Sequence, residues 1–313
     1  MVTDALPSLA DIDAARQRCR HAIRTTPLLP TTVGDLGLDM AVGLKLESLQ
    51  HAGSFKSRGS LNSALIGQVP DAGLIAASGG NHGIAVARTA AVLGVAAEIF
   101  VPEVSAPAKV ARLRRYGATV HVTGALYDDA QAACAQRQAE TGALEIHPYN
   151  TAPTIAGQGT LGLELADQWP DVDTVLVAVG GGGLIAGIRL ALTHVHVVGV
   201  ETRACAAFHA AVAAGQPTEV TPDGVAADAL GARKIGELPW QALNGQARSV
   251  VVEDAAVLEA QRALWNELQV AAEPAAAVGV AALRCGAYQP GDGERVAVIV
   301  CGGNVDPATL NRL

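Results

Sequence analysis

The sequence has 313 residues, half of them hydrophobic and 17% charged, so it can bury a sizeable core as one large domain or two ordinary ones. A net charge of −8, no long basic run, no membrane-length apolar stretch and no signal-peptide pattern argue against nucleic-acid binding, membrane association and secretion. Five cysteines without a CxxC pair favour a reduced setting, and we expect a cytoplasmic protein.

The first predicted element is a helix that begins at a capping-box-like pair, Ser8 and Asp11, and runs to about His21. A proline-broken link and a predicted strand, "MAVGLKLE", follow. The stretch "GSFKSRG" at residues 53–59 comes next, with a predicted helix just after Lys56. A lysine among glycines and small residues, after an apolar run, is in an unusual setting for a side chain that serves only solvation.

From about residue 73, short β-like runs alternate with alanine-rich helical runs. The strand-like runs are "GLIAAS", "VAAEIFVP", "ATVHVTG", "VDTVLVAV", "HVVGVE" and "ERVAVIVCGG". This alternation is typical of parallel sheets with right-handed crossovers. We therefore predict an α/β fold with two doubly wound parallel-sheet lobes.

The stretch "SGGNHG" follows a predicted strand and opens a predicted helix. Ser78 and the backbone amides around Gly79 and Gly80 can hold a carboxylate there. Asn81 carries an amide that both donates and accepts hydrogen bonds. Ordinary helix capping is the competing interpretation of these residues.

Four consecutive glycines, Gly180 to Gly183, separate a predicted buried strand (172–179) from a helix beginning near Leu184. Inward-turned N–H groups and the positive end of the helix favour a phosphate, although a tight turn without a ligand is the alternative. "GQGTLG" at 157–162 formally matches GxGxxG but follows no clear strand, so we interpret its glycines as close helix packing rather than nicotinamide binding.

The lysine and the glycine loop together indicate one cofactor. A partly buried lysine has a lowered pKa and can form a Schiff base with an aldehyde. Pyridoxal phosphate (PLP) supplies an aldehyde for the lysine, a phosphate for the glycine loop and a ring that accepts electrons. We therefore predict PLP as the cofactor.

Five motifs in chain order, "GSFKSRG", "SGGNHG", "GGGGLIAG", "EPAAA" and "CGGNVD", resemble those of fold-type II PLP enzymes. The likeness is greatest to the branch of serine/threonine dehydratases (threonine ammonia-lyases) and serine racemases. It implies a tryptophan synthase β-like fold with PLP in the cleft between two lobes. Residues 1–70 and 151–313 would form a large PLP-binding domain, and residues 71–150 a small domain carrying the asparagine loop. A homodimer is the state common to this fold.

The resemblance also implies roles for single residues. Lys56 would be the catalytic residue that forms the Schiff base with PLP. The other cofactor-binding residues implied are Phe55, Asn81, Gly180, Gly181, Gly182, Gly183, Leu184, Glu273 and Cys301. The substrate-binding residues implied are Ser78, Gly79, Gly80, Asn81 and His82. Two alternatives stay open, a solvated helix-start position for Glu273 and a simple core position for Cys301.

The activity implied is α,β-elimination, which converts L-threonine and/or L-serine to a 2-oxoacid and ammonia. The sequence does not choose between these substrates. Racemisation is disfavoured because Gly79 replaces the second serine of the racemases. No metal is expected, because Ala207 replaces the Asp that accompanies the Glu201 position in the branch. In the segment 225–236, Ala229 replaces a glycine, which could alter the pocket.

Three alternatives remain. The chain could be a lyase or racemase of the same fold that acts on another β-substituted or β-hydroxy amino acid. It could bind PLP without catalysis. An NAD-dependent dehydrogenase is weaker still, because it leaves Lys56 without a role.

Overall fold

The computed structural model describes residues 5–105 and 107–310. Residues 1–4 and 311–313, the ends of the predicted large domain, and Ala106 of the predicted small domain lie outside the described residues. The described strands are β1 (Leu28–Pro30), β2 (Gly43–Leu46), β3 (Leu74–Ala77), β4 (Ala97–Val101), β5 (Thr119–Val122), β6 (Leu144–Glu145), β7 (Thr174–Ala178), β8 (His196–Thr202), β9 (Arg248–Val252) and β10 (Val296–Val300).

The helices begin and end at the following residues. They are α1 (Leu9–Cys19), α2 (Lys56–Ile66), α3 (Asn81–Leu93), α4 (Pro107–Arg115), α5 (Tyr127–Thr141), α6 (Ala152–Gln168), α7 (Gly183–Ala191), α8 (Ala207–Ala214), α9 (Ala227–Leu230), α10 (Glu237–Leu243), α11 (Asp254–Leu268), α12 (Pro274–Arg284) and α13 (Pro307–Leu310). Short 3-10 turns occupy Asp35–Gly37, Glu47–Leu49 and His51–Gly53.

Two sheets organise the chain. One has six strands in the order β1-β2-β10-β7-β8-β9, and the other has four in the order β5-β4-β3-β6. All residues of β7 and β10 are buried. Because successive residues of a strand point to opposite faces, both faces of the large sheet are covered, as a doubly wound sheet requires. The predicted α/β fold is confirmed, and we propose that each sheet with its helices forms one of the two predicted domains.

The sheets depart from the all-parallel prediction at one edge. Strand β1 pairs with β2 in the antiparallel sense, whereas the other pairs are parallel. Parallel neighbours need a crossover, usually an α-helix, whereas the segment 31–42 between β1 and β2 contains only the 3-10 turn Asp35–Gly37. Strands β1, β6 and β9 were not predicted: the first two have only three and two residues, and β9 is a five-residue strand between helices α10 and α11.

The glycines of "GQGTLG" lie inside helix α6, where they allow close packing. A Cβ atom at Gly157 would lie 2.6 Å from the Cα of Gly59 in α2. A Cβ atom at Gly159 would lie 3.0 Å from the carbonyl oxygen of Gly187 in α7. The interpretation of this motif as helix packing is therefore confirmed, and the close approach fixes α2, which begins at Lys56, against the large sheet's helical layer.

Candidate active site

A cavity of about 1090 Å³ lies between the two sheets, at the carboxyl ends of their parallel strands. The loops that follow β3, β4, β7 and β10 contribute to its wall, as does the start of α2. The volume is ample for a cofactor together with a small substrate.

The structure brings almost every predicted site residue to this one cavity. The lining residues that the sequence predicted are Phe55, Lys56, Ser78, Gly79, Gly80, Asn81, His82, Gly180, Gly181, Gly182, Gly183, Leu184 and Cys301. Glu273 is the exception: it does not line the cavity but lies behind Asn81, in hydrogen-bond contact with its side chain.

Lys56 is the first residue of α2, and its side chain is partly buried in the cavity wall. Its Nζ atom donates a hydrogen bond of 2.8 Å to the carbonyl oxygen of Pro148 and lies 5.1 Å from the centroid of the Phe55 ring. Burial lowers the pKa of Lys56 to about 8. About a tenth of this amine is therefore neutral at pH 7, and a nucleophile or a base must be in that neutral form.

The glycine loop lines the same cavity as the lysine. Gly182 has a φ of +89°, which favours glycine, and it caps the N-terminus of α7. The first N–H groups of a helix have no acceptor within that helix, and they carry its positive end. A Cβ atom at Gly181 would lie 2.3 Å from the Tyr149 ring, so that position accepts no side chain. The loop presents bare backbone N–H groups suited to a phosphate.

Asn81 begins α3 and has a fixed side-chain orientation. Its Nδ2 donates to Oε2 of Glu273 at 2.7 Å, and its Oδ1 accepts from Nδ2 of Asn304 at 2.6 Å. Oε1 of Glu273 accepts from the backbone N–H of Asn304 at 2.7 Å. Burial raises the pKa of Glu273, although these two donors oppose the shift. Because Nδ2 carries two hydrogens, Asn81 keeps one donor for a cavity ligand.

His82 and Cys301 are buried, uncharged members of the wall. Nε2 of His82 lies 2.7 Å from the carbonyl oxygen of Ile146, and burial, with the charge of Lys56, lowers the pKa of His82 to about 3. His82 is therefore a neutral imidazole that donates to this carbonyl. Burial and the charge of Glu273 raise the pKa of Cys301, so it stays a thiol. A thiol is a weak partner for a ring nitrogen.

Several residues of the site were not predicted from the sequence. Pro148 and Tyr149 line the cavity. Asn304 donates a hydrogen bond to Asn81; it belongs to the quoted motif "CGGNVD", but no role was predicted for it. The turn His147–Asn150 follows β6 at the carboxyl edge of the small sheet, which is where ligands bind in such folds. Strand β6 has only two residues, and so its periodicity gave no signal.

The sequence predicts no metal at Glu201, and none at the two histidines of "HVH" (194–196), which have no third ligand nearby. Glu201 accepts hydrogen bonds from the backbone N–H groups of Phe208 (2.8 Å) and His209 (2.7 Å) at the start of α8. His194 and His196 are exposed. Among residues 5–105 and 107–310, no cluster of three or more His, Cys, Asp or Glu side chains is arranged to hold a metal ion. In the same ranges, no helix has the length and apolar character needed to cross a membrane.

The fold and the cavity together define a class: an α/β protein whose two sheets flank one cavity, lined by a lysine of lowered pKa and by a loop of glycines. The residues fit PLP, since an amine of lowered pKa would suit its aldehyde end and a cradle without Cβ atoms would suit its phosphate end. The family model described as "Pyridoxal-phosphate dependent enzyme" matches residues 19–302, and the chain belongs to this family. The predicted family and cofactor are thereby confirmed.

Individual relatives agree with this membership. The chain is 38% identical to the L-threonine ammonia-lyase of Geobacter sulfurreducens, an alignment that covers 96% of this chain and 76% of that protein. The structure of maize serine racemase superposes with a TM-score of 0.91 at 32% identity, covering 98% of this chain and 96% of the racemase. The crystal structure of a T.th. threonine deaminase gives a TM-score of 0.89 at 38% identity, covering 96% of this chain and 99% of the deaminase.

Proposed function

We propose that this protein catalyses the α,β-elimination of L-threonine and/or L-serine, giving a 2-oxoacid and ammonia. The observation that carries the proposal is that the Lys56 amine, with a pKa lowered to about 8, and the glycine loop line one cavity. The ammonia-lyase and deaminase relatives support this choice of reaction. When bound, PLP supplies an aldehyde for Lys56 and a ring that accepts electrons from the substrate's α-carbon.

In this proposal the residues around the cavity have different roles in binding PLP. The backbone N–H groups from Gly180 to Leu184 would hold the phosphate, and Phe55 would pack against the ring. The free donor of Asn81 would bind the ring hydroxyl, and Glu273 would act only through Asn81. Cys301 would be the partner of the ring nitrogen.

The substrate carboxylate binds at the start of α3 in this proposal. This helix is thirteen residues long, and its first N–H groups point toward the loop Ser78–Gly80. Within that loop the N–H of Gly80 donates to Oγ of Ser78 at 3.2 Å, which orders the turn. The side chain of His82 stays neutral and adds no charge. Nζ of Lys56 then takes the α-proton as general base.

Racemisation is the second candidate, because maize serine racemase superposes over nearly the whole chain. Against it, Gly79 carries no titratable group. A Cβ atom at this position would lie 3.2 Å from Oγ of Ser105, so a serine there would also be crowded. We expect elimination to dominate, and a chiral assay for D-serine tests this directly.

We also propose that the protein is a cytoplasmic homodimer. All five cysteines are free, and four of them are buried, which agrees with a reducing compartment. Light scattering of the purified protein measures the oligomeric state.

The decisive experiment measures 2-oxoacid release from L-threonine and L-serine by the purified protein loaded with PLP. Lys56→Ala serves as the control and is expected to abolish release. The ratio of the two rates ranks the substrates. Bound PLP without release from either amino acid would reject the proposed reaction and favour another β-substituted substrate or a non-catalytic role.

A further inference from the structure

Residues 147–150 form a turn between β6 and α6 that a histidine side chain closes. Nδ1 of His147 accepts hydrogen bonds from the backbone N–H of Tyr149 at 3.2 Å and of Asn150 at 2.9 Å. Asn and Asp side chains make the same two contacts in tight turns. The arrangement needs a free lone pair on Nδ1. Burial lowers the pKa of His147 to about 4, so its ring is neutral at physiological pH.

This turn contacts both ends of the cofactor site. The carbonyl oxygen of Pro148 accepts from Nζ of Lys56 at 2.8 Å. Cβ atoms at Gly181 and Gly183 would lie 2.3 Å from the Tyr149 ring and 2.8 Å from the Tyr149 carbonyl oxygen, so Tyr149 packs directly on the glycine loop. The His147 ring meets the Tyr149 ring edge-on, with centroids 5.0 Å apart. One turn therefore joins the lysine to the phosphate-binding loop.

The geometry of a peptide unit links these contacts. The carbonyl of Pro148 and the N–H of Tyr149 belong to the same planar peptide, and in a trans peptide they point in opposite directions. His147 binds the N–H, and the carbonyl oxygen on the other side of that plane binds the amine of Lys56. Fixing the N–H therefore fixes the direction of the carbonyl. A neutral amine that donates one N–H to this carbonyl keeps its lone pair free for attack or for a proton.

We propose that His147 is a positioning residue, which holds the Pro148–Tyr149 peptide so that the Pro148 carbonyl orients the free amine of Lys56 and Tyr149 supports the glycine loop. His147 does not touch the reacting atoms. The proposal rests on the PLP site described above.

The turn has a second point of support. Oγ1 of Thr154, in the first turn of α6, donates to the carbonyl oxygen of His147 at 2.9 Å. Oγ1 of Thr151 donates to Oγ1 of Thr154 at 2.9 Å. Thr154→Val removes this support without touching the imidazole, and so provides an independent variant.

The experiment compares His147→Phe, which keeps a ring but has no acceptor, with His147→Asn, whose Oδ1 can accept both N–H groups. Apoprotein is titrated with PLP, following the visible absorbance of the bound cofactor, and the attachment rate is measured across pH. Because two hydrogen bonds to the turn are lost, His147→Phe is expected to weaken PLP binding by about tenfold. It should also shift the pH midpoint of attachment, whereas His147→Asn should stay near wild type.

A purely structural histidine would lower the thermal unfolding temperature of His147→Phe and leave both the PLP affinity and the midpoint unchanged. That result overturns the proposal, as does an Asn variant that is folded but as impaired as the Phe variant. If His147→Phe does not fold, the Thr154→Val variant tests the proposal instead. An unchanged PLP affinity of Thr154→Val also overturns the proposal. Wild type that binds PLP but releases no 2-oxoacid rejects the proposed reaction and leaves the role of His147 intact.

Discussion

In the proposed site, Lys56 would set the pH at which PLP can attach. Its pKa is lowered to about 8, and only the neutral amine attacks an aldehyde. The attachment rate should therefore rise about tenfold per pH unit below this value and level off above it, because the neutral fraction follows the pKa. Stopped-flow absorbance after mixing apoprotein with PLP measures this. A midpoint near that of an ordinary lysine, roughly 10, would mean that Lys56 is solvated.

The hydrogen bonds of Glu201 allow a prediction about the protein's response to divalent cations. Its two carboxylate oxygens are occupied by backbone N–H groups of α8, and Ala207 offers no second carboxylate. We expect a chelator or added Mg²⁺ to leave both turnover and thermal stability unchanged. Isothermal titration with Mg²⁺ gives a readout independent of activity. Saturable cation binding that is lost in Glu201→Gln would contradict this prediction.

The sequence revealed the site residues that lie in short, unusual motifs. Lys56, Asn81 and the run of glycines stand out because each has a local pattern with a chemical reason. His147 bonds to Tyr149 and Asn150 within its own turn, but only the fold brings this turn to Lys56 and the glycine loop, and no local pattern marks that contact. The placement of Glu273 behind Asn81 likewise depends on the loop after β10, in which the backbone N–H of Asn304 binds Glu273.

At the scale of elements, the glycine face of α6 should be intolerant of side chains. A Cβ atom at Gly157 would lie 2.6 Å from Cα of Gly59 and 2.7 Å from the carbonyl oxygen of Arg58. Gly157→Ala should destabilise the fold by about 1–3 kcal/mol or more, because backbone cannot move aside cheaply. Denaturant unfolding of the apoprotein measures it. Gly291→Ala is the matched control, since its nearest neighbour would be 3.7 Å away.

Elements were predictable where the local signals were strong. Ser8 and Asp11 form the predicted capping box of α1, and the apolar runs before glycine loops became β3, β7 and β10. Strand β6 was not predictable, because two residues show no period. Its existence depends on pairing with β3, which brings the functional turn that follows β6 to the cavity.

At the scale of the whole molecule, two ion pairs join the small-sheet helices to the segment 225–236 of the large part, across the cavity mouth. Lys109 pairs with Asp228, and Asp128 pairs with Arg233 at 3.3 Å. These side chains are largely exposed, so each pair contributes about 0–1 kcal/mol and is screened by salt.

These pairs should make substrate affinity sensitive to salt. KM of the wild type is expected to rise with ionic strength. At low ionic strength, KM of the double variant Asp128→Asn, Asp228→Asn should already be higher, and added salt should change it little. Asp171→Asn, which removes a carboxylate that pairs with Arg295 away from the cavity, is the control. If KM depends equally on salt in all three proteins, the two ion pairs across the cavity mouth do not affect substrate affinity.

The order of strands also bears on synthesis at the ribosome. The small sheet uses only β3 to β6, so its strands are all present once residue 145 has emerged. The large sheet instead pairs β2 with β10, placing Gly43 beside Ala297. A nascent chain can therefore fold its small sheet early, but its lysine and glycine loop come together only after β10 is made. We therefore expect PLP to be captured only after β10 has paired with β2 and β7.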